Sequence, residues 1–112
     1  MAALAVTDRN FQAEVLESNQ PVLVDFWAPW CGPCRAMSGV VDEIAGTLDG
    51  RAKVVKVNVD DSTESAARYG IQSIPAFAVF VGGELKSGTT GAVPPQTLLD
   101  LVEDQLNASA SS

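Results

Sequence analysis

From Val22 to Ala28 the chain reads Val-Leu-Val-Asp-Phe-Trp-Ala, apolar at every position except Asp25. A strand with one wet face alternates apolar and polar residues, because successive side chains point to opposite faces. A strand without that alternation has to be covered on both sides, which puts it in the middle of a sheet between helical layers. Just beyond it, Trp30-Cys31-Gly32-Pro33-Cys34 carries the 2 cysteines of the chain. Met37, Val40, Val41, Ile44, Ala45 and Leu48 then follow at helical spacing. A buried strand, a Cys-x-x-Cys turn and an amphipathic helix together point to an α/β fold with a dithiol at a strand-to-helix junction.

The other segments extend this pattern. Ala52 to Val59 reads as a second strand, with Val55, Val57 and Val59 on one face and Lys56 sharing the other with Val54 and Asn58. Asp60-Asp61-Ser62 caps a short helix, with Glu64 placed to close a capping box on Asp61, and Tyr69-Gly70 ends it. Ala76 to Val81 is a third strand, and Gly82-Gly83 is a two-residue hairpin signal, so Glu84 to Thr90 returns antiparallel as an edge strand. At the start, Thr7-Asp8-Arg9-Asn10 supplies capping residues for an amphipathic helix from Phe11 to Ser18, which Asn19-Gln20-Pro21 breaks. Pro94-Pro95 opens a last helix with Leu98, Leu101, Val102, Gln105 and Leu106 as its buried stripe. Strand–helix–strand units imply parallel pairing and the hairpin adds an antiparallel edge, which gives a mixed central sheet with helices on both sides. The expected organisation is one domain over residues 1–107, without repeats, and a tail over 108–112 that lacks an apolar anchor and frays.

Charge and hydropathy narrow the partners. Fourteen acids against 7 bases give a net charge of −7, which disfavours the phosphate backbone of nucleic acid. No run of about 18 apolar residues appears, so no membrane-spanning helix is expected. The first residues, Met1 to Val6, lack the basic segment and length of a signal peptide, which makes the cytoplasm the default location. In a reducing compartment a lone cysteine pair is more often catalytic or metal-binding than a structural staple.

Thiol–disulfide exchange needs one thiolate to attack and a second thiol near enough to resolve the mixed disulfide. Cys31 comes first, where unpaired backbone N–H groups and the helix dipole favour a negative sulfur; Cys34 lies a turn further in and is more shielded. Cys31 is therefore the expected nucleophile and Cys34 the resolving thiol. Gly32 gives the backbone room and lets a substrate approach, while Pro33 fixes a helical φ where its missing N–H costs nothing. A stapling disulfide would close only a tiny loop. A zinc site would need further ligands from carboxylates or another chain, because the sequence has 0 His and no third Cys.

Asp25 is costly inside a doubly covered strand unless it is paired, and burial raises its pKa. Lys56 on the next strand is the obvious partner. The functional reading is a buried acceptor for the Cys34 proton; the alternatives are a structural ion pair or a carboxylate facing solvent. Trp30 beside Cys31 either shields the dithiol and touches substrate or simply packs. Pro75 can simply begin the third strand.

Asp25-Phe26-Trp27-Ala28-Pro29-Trp30-Cys31-Gly32-Pro33-Cys34, Lys56-Val57-Asn58-Val59-Asp60 and Tyr69-Gly70-Ile71-Gln72-Ser73-Ile74-Pro75 resemble, in this order and spacing, the hallmark segments of the thioredoxin family, and Gly82-Gly83 and Gly91-Ala92 also fit. The resemblance covers Phe11 to Leu106. It implies the thioredoxin fold, a five-stranded mixed sheet flanked by four helices, and protein-disulfide reductase activity. It implies catalytic roles for Cys31, Cys34 and the pair Asp25 and Lys56, and a cis Pro75 facing the dithiol. Trp30, Gly32, Pro33, Ser73, Ile74, Pro75, Thr90, Gly91 and Ala92 would then bind an extended peptide in an apolar groove. No bound cofactor or metal is implied. The redox-active disulfide Cys31–Cys34 would be recycled by a thioredoxin reductase that uses FAD and NADPH, and the other partners would be disulfide-containing proteins. A monomer is expected, since the acidic helices offer no long apolar seam. Gly-Pro between the cysteines resembles the reductase branch, with isomerase activity the nearest rival and a thiol-independent binding module a further one. Gly39 stands where many members carry a helix-kinking proline, and Ala76 replaces a threonine common after the cis-proline. A less rigid helix is expected at Gly39.

Overall fold

Among the described residues nine elements run β1 (Leu4–Val6), a single π-helical turn (Gln12–Leu16), β2 (Val22–Trp27), α1 (Gly32–Leu48), β3 (Lys53–Asn58), α2 (Thr63–Arg68), β4 (Ala76–Val81), β5 (Glu84–Thr90) and α3 (Pro95–Ser111). The structure is a computed structural model that describes residues 2–111, with side chains described as far as residue 108. The strands form one sheet in the order β1-β3-β2-β4-β5. β3 pairs parallel with β1 and β2, while β4 pairs antiparallel with β2 and β5. The five-stranded mixed sheet with four helical elements is the thioredoxin fold.

β2 sits at the centre, as its unbroken apolar run requires, and its side chains feed two separate cores. Leu23 joins Met37, Val41 and Ile44 of α1, Phe77 of β4 and Leu98 of α3 on one face. Val24 and Phe26 join Phe11, Val15, Val55 and Phe80 on the other. Because alternation is strict, Asp25 shares the α1 side with Leu23. Its Cα partners across the sheet are Lys56 on β3 and Phe77 on β4.

Three local expectations change. The helix over Phe11–Ser18 shrinks to the π-helical turn, although Phe11 and Val15 still bury the expected face. The capping box of Asp61 and Glu64 does not form: the N-cap of α2 is Ser62, and it makes no side-chain cap. Asp8 caps the helix instead, its carboxylate accepting the Glu64 N–H at 3.2 Å and the Ser65 N–H at 2.9 Å. Such a cap satisfies N–H groups that have no partner inside the helix. The far end behaves as expected, with Gly70 at φ 67° and the Ile71 N–H returning to the Ala66 carbonyl. Finally, α3 buries Leu98 and Val102 and half-buries Leu101, Gln105 and Leu106. Its backbone continues through Ser111, so residues 108–111 of the expected frayed tail extend the helix, and Ser112 lies outside the described residues.

The hairpin is set by Gly82 and Gly83, at φ 60° and 83°, between the paired Val81 and Glu84. Positive φ at both central residues is what a two-residue turn of matching twist demands. Gly39 has no such reason. It lies inside α1, which runs unbroken past it, and an added Cβ there would meet nothing within 4 Å. Gly39→Ala is expected to stabilise the protein by about 0.5–1 kcal/mol through the lost entropy of the unfolded chain. Urea unfolding checks this, with a higher midpoint at unchanged m-value as the expected result.

Candidate active site

β2 ends at Trp27 and the chain turns through buried Ala28 and exposed Pro29 and Trp30. Cys31 is the N-cap of α1, in extended conformation, and its Sγ accepts the N–H of Cys34 at 3.2 Å. Pro33 stands in the first helical turn, where no N–H is needed. Cys31 and Cys34 form a disulfide, their Cα atoms 5.2 Å apart. Cys31 Sγ also lies 3.9 Å from the Ile74 carbonyl oxygen, and the Ile74–Pro75 bond is cis.

Both cysteines are buried, Cys31 at 5% and Cys34 at 3% exposure, so residue burial separates them little. What separates them is direction. The Cys31 sulfur meets the N-terminal amide of the helix, and that environment stabilises a thiolate. Cys34 faces inward and helps line a cleft of about 290 Å³ together with Asp25, Trp27, Arg35, Ser38 and Lys56. The turn itself does not require Gly32, because a Cβ there would meet only the Arg35 guanidinium, at 4.0 Å. Glycine leaves the surface beside the disulfide low.

Trp30 is 67% exposed, yet it is not loose: its Nε1 donates to Asp60 Oδ2 at 2.9 Å. Asp60 was not among the candidate residues. Thirty residues separate the pair, and no local pattern joins an exposed acid after β3 to an indole before α1. On the other flank, Gly91 donates its N–H to the Pro75 carbonyl at 2.7 Å and Thr90 pairs with Ala76. Ile74 packs on the cysteines. The chain therefore brings Ile74, Pro75, Thr90 and Gly91 to one edge of the dithiol, with Ser73 and Ala92 exposed beside them.

The thioredoxin family profile matches residues 2–104. The chain belongs to the thioredoxin family. It is 54% identical to Thioredoxin 1 of Nostoc sp. over 94% of this chain and 98% of the relative. It is 53% identical to Thioredoxin 1 of Synechococcus elongatus, over 93% and 97%. It is 54% identical to the chloroplastic M-type thioredoxin of Chlamydomonas reinhardtii, over 92% and 74%. As a thioredoxin-family protein with a redox-active cysteine pair, the chain is a disulfide oxidoreductase. No helix among the described residues is long and apolar enough to cross a membrane, and no group of 3 or more His, Cys, Asp or Glu could hold a metal ion.

Beneath the thioredoxin dithiol, Asp25 is 3% exposed and its Oδ1 has no hydrogen-bond partner among the described residues. Burial pushes its pKa up to about 7; the Lys56 charge opposes that shift and the Asp42 charge adds to it. The expected pairing with Lys56 holds for the backbone register but not for the side-chain tips. The Lys56 ammonium donates to Ser38 Oγ at 2.9 Å and pairs with Asp42 Oδ1 at 3.1 Å, both on α1. A long flexible lysine takes the exposed carboxylate, which costs less to keep ionised than the buried one.

Proposed function

We propose that this chain is a protein-disulfide reductase acting through its dithiol form. The Cys31 thiolate attacks one sulfur of a target disulfide, forming a mixed disulfide and expelling a target thiolate. Cys34 gives its proton to the Asp25 carboxylate across the cleft they share, and its sulfur attacks Cys31. The Cys31–Cys34 bond closes, the second target thiolate leaves, and two electrons have passed to the target. The observation that carries this reading is the disulfide placed directly over a cleft lined by both Cys34 and the unpartnered Asp25 carboxyl. Lys56 tunes that carboxyl through its charge. Trp30, Gly32, Pro33, Ser73, Ile74, Pro75, Thr90, Gly91 and Ala92 hold the target as an extended peptide. A thioredoxin reductase carrying FAD and drawing on NADPH returns the disulfide to the dithiol.

The protein works as a monomer in the cytoplasm, as a single domain over residues 1–107. The name of the chloroplastic relative describes that protein's compartment. The deciding experiment is insulin disulfide reduction with NADPH and a thioredoxin reductase, with the double Cys31→Ser, Cys34→Ser variant as control. Rapid turnover that the control lacks is the expected result. Turnover with dithiothreitol alone would keep the chemistry and assign a different electron donor. Failure with both reductants would overturn the reductase reading in favour of a thiol-independent binding module.

A further inference from the structure

The sequence pairs Lys56 with Asp25, and the sheet register sets them side by side, yet the ammonium turns away to α1. Two helix residues draw it there. Ser38 offers its hydroxyl at 2.9 Å and its carbonyl at 3.4 Å; Asp42, one turn on, offers Oδ1 at 3.1 Å. The same Asp42 oxygen accepts the N–H of Ala3 at 3.1 Å, which ties the carboxylate to the N-terminal segment as well. Asp42 is held below the usual carboxylate range, first by that backbone bond and then by Lys56, so it stays charged where Asp25 titrates.

We infer that Ser38 and Asp42 are positioning residues that hold the Lys56 ammonium on the helix side of the cleft, leaving Asp25 free as a proton acceptor instead of one half of an ion pair. If the lysine tip closed on Asp25, opposite charge at short range would keep the carboxyl ionised and make it a poor base for a thiol. The lysine side chain is long and three-fold donating, so its position is decided by whichever acceptors compete best. The ionisable groups on the elements around Asp25 are few. β3 contributes Lys56 and, at its far end and paired with Glu14, Lys53; α1 contributes Arg35, Asp42, Glu43 outside the cleft lining and, after reduction, Cys34. Arg35 donates to the Pro29 carbonyl at 2.9 Å, and β4 presents Phe77 beside Asp25 with no ionisable residue along Ala76–Val81. Lys56 is thus the cation lining the cleft that is held by side chains, Ser38 and Asp42, which can be removed singly.

The inference rests on Asp25 being the proton acceptor for Cys34, and its test reads Asp25 directly. The Asp25 carboxyl is titrated by carbon NMR in the full-length oxidised protein, in Ser38→Ala, Asp42→Asn and Lys56→Met, and in the doubles that combine Lys56→Met with each tether change. Freed from either tether, the ammonium is expected to swing to Asp25 and lower its titration midpoint, by about one pH unit for Asp42→Asn and less for Ser38→Ala. In the Lys56→Met background neither change should lower it comparably, because the effect runs through the lysine. Asp42→Glu is expected to restore most of the original midpoint. Equal shifts with and without Lys56, or no downward shift, would overturn the inference and leave Asp42 acting only through its own charge. The two readings fail separately: loss of insulin reduction in the unmodified protein removes the reductase function without touching the titration.

Discussion

Asp25→Asn is expected to make the oxidised protein more stable at pH 8 while slowing its turnover at pH 7. The folded protein holds the Asp25 proton up to about pH 7, whereas the unfolded chain releases it near the ordinary value of 3.8. Below both values each state is protonated and the group contributes nothing. Between them the folded state binds more protons than the unfolded one, so stability falls as pH rises, by on the order of 4 kcal/mol across the window. Above about pH 7 the penalty is complete. Asparagine removes the charge but keeps a buried polar group, so its gain at pH 8 should be about 2–4 kcal/mol, vanishing near pH 4. Guanidinium unfolding of both proteins at pH 4, 6 and 8 measures the difference. A constant difference across that range would mean Asp25 is not the group responsible. In turnover, loss of a general base should slow resolution of the mixed disulfide by up to about a hundredfold at pH 7, with the deficit narrowing in more alkaline buffer. An unchanged rate would remove Asp25 from the reaction.

The larger effect belongs to the cysteines. Cys34→Ser leaves the attacking sulfur at the helix N-terminus and removes the only group that releases the product. Incubated with disulfide-bonded proteins, this variant should accumulate covalent mixed disulfides that dithiothreitol dissolves. Its multiple-turnover rate should fall by on the order of a thousandfold or more, as when one member of a covalent relay is lost. Cys31→Ser should lose as much activity and trap almost nothing, since Cys34 is turned toward the cleft. Non-reducing electrophoresis separates the two outcomes. Trapping by Cys31→Ser in place of Cys34→Ser would exchange the roles.

The central strand was legible because seven positions without alternation leave no wet face, and two cores do form on either side of it. The dithiol was legible because both cysteines fall at a strand-to-helix turn. Asp25 stood out for the same reason that makes it reactive: it is a charge where the pattern allows none. What stayed hidden depends on where side-chain tips go in three dimensions. Lys56 could be placed beside Asp25 by strand register, but Ser38 and Asp42 could compete for it only once α1 lay across β3. Trp30 and Asp60 meet across a turn that neither residue's neighbours define. The N-terminal helix differs for another reason: the Glu17 N–H bonds the Gln12 carbonyl at 2.8 Å, one residue beyond α-helical spacing, while Phe11 and Val15 still reach the core.

Asp8 gives the chain an unusual dependency between its ends of assembly. α2 is only 6 residues long, below the length at which a helix persists alone, and its first N–H groups are satisfied by a carboxylate that arrives from 57 residues earlier in the chain. Asp8 is held in turn by Ser62, whose hydroxyl oxygen accepts the Asp8 N–H at 3.2 Å, and by Ser65, whose hydroxyl donates to Asp8 Oδ1 at 2.6 Å. The two segments hold each other in place and are expected to open together. The amides of Glu64 and Ser65 are therefore expected to exchange with solvent only when the Asp8 carboxylate lets go, so that a residue near the start of the chain bears on a helix in its middle.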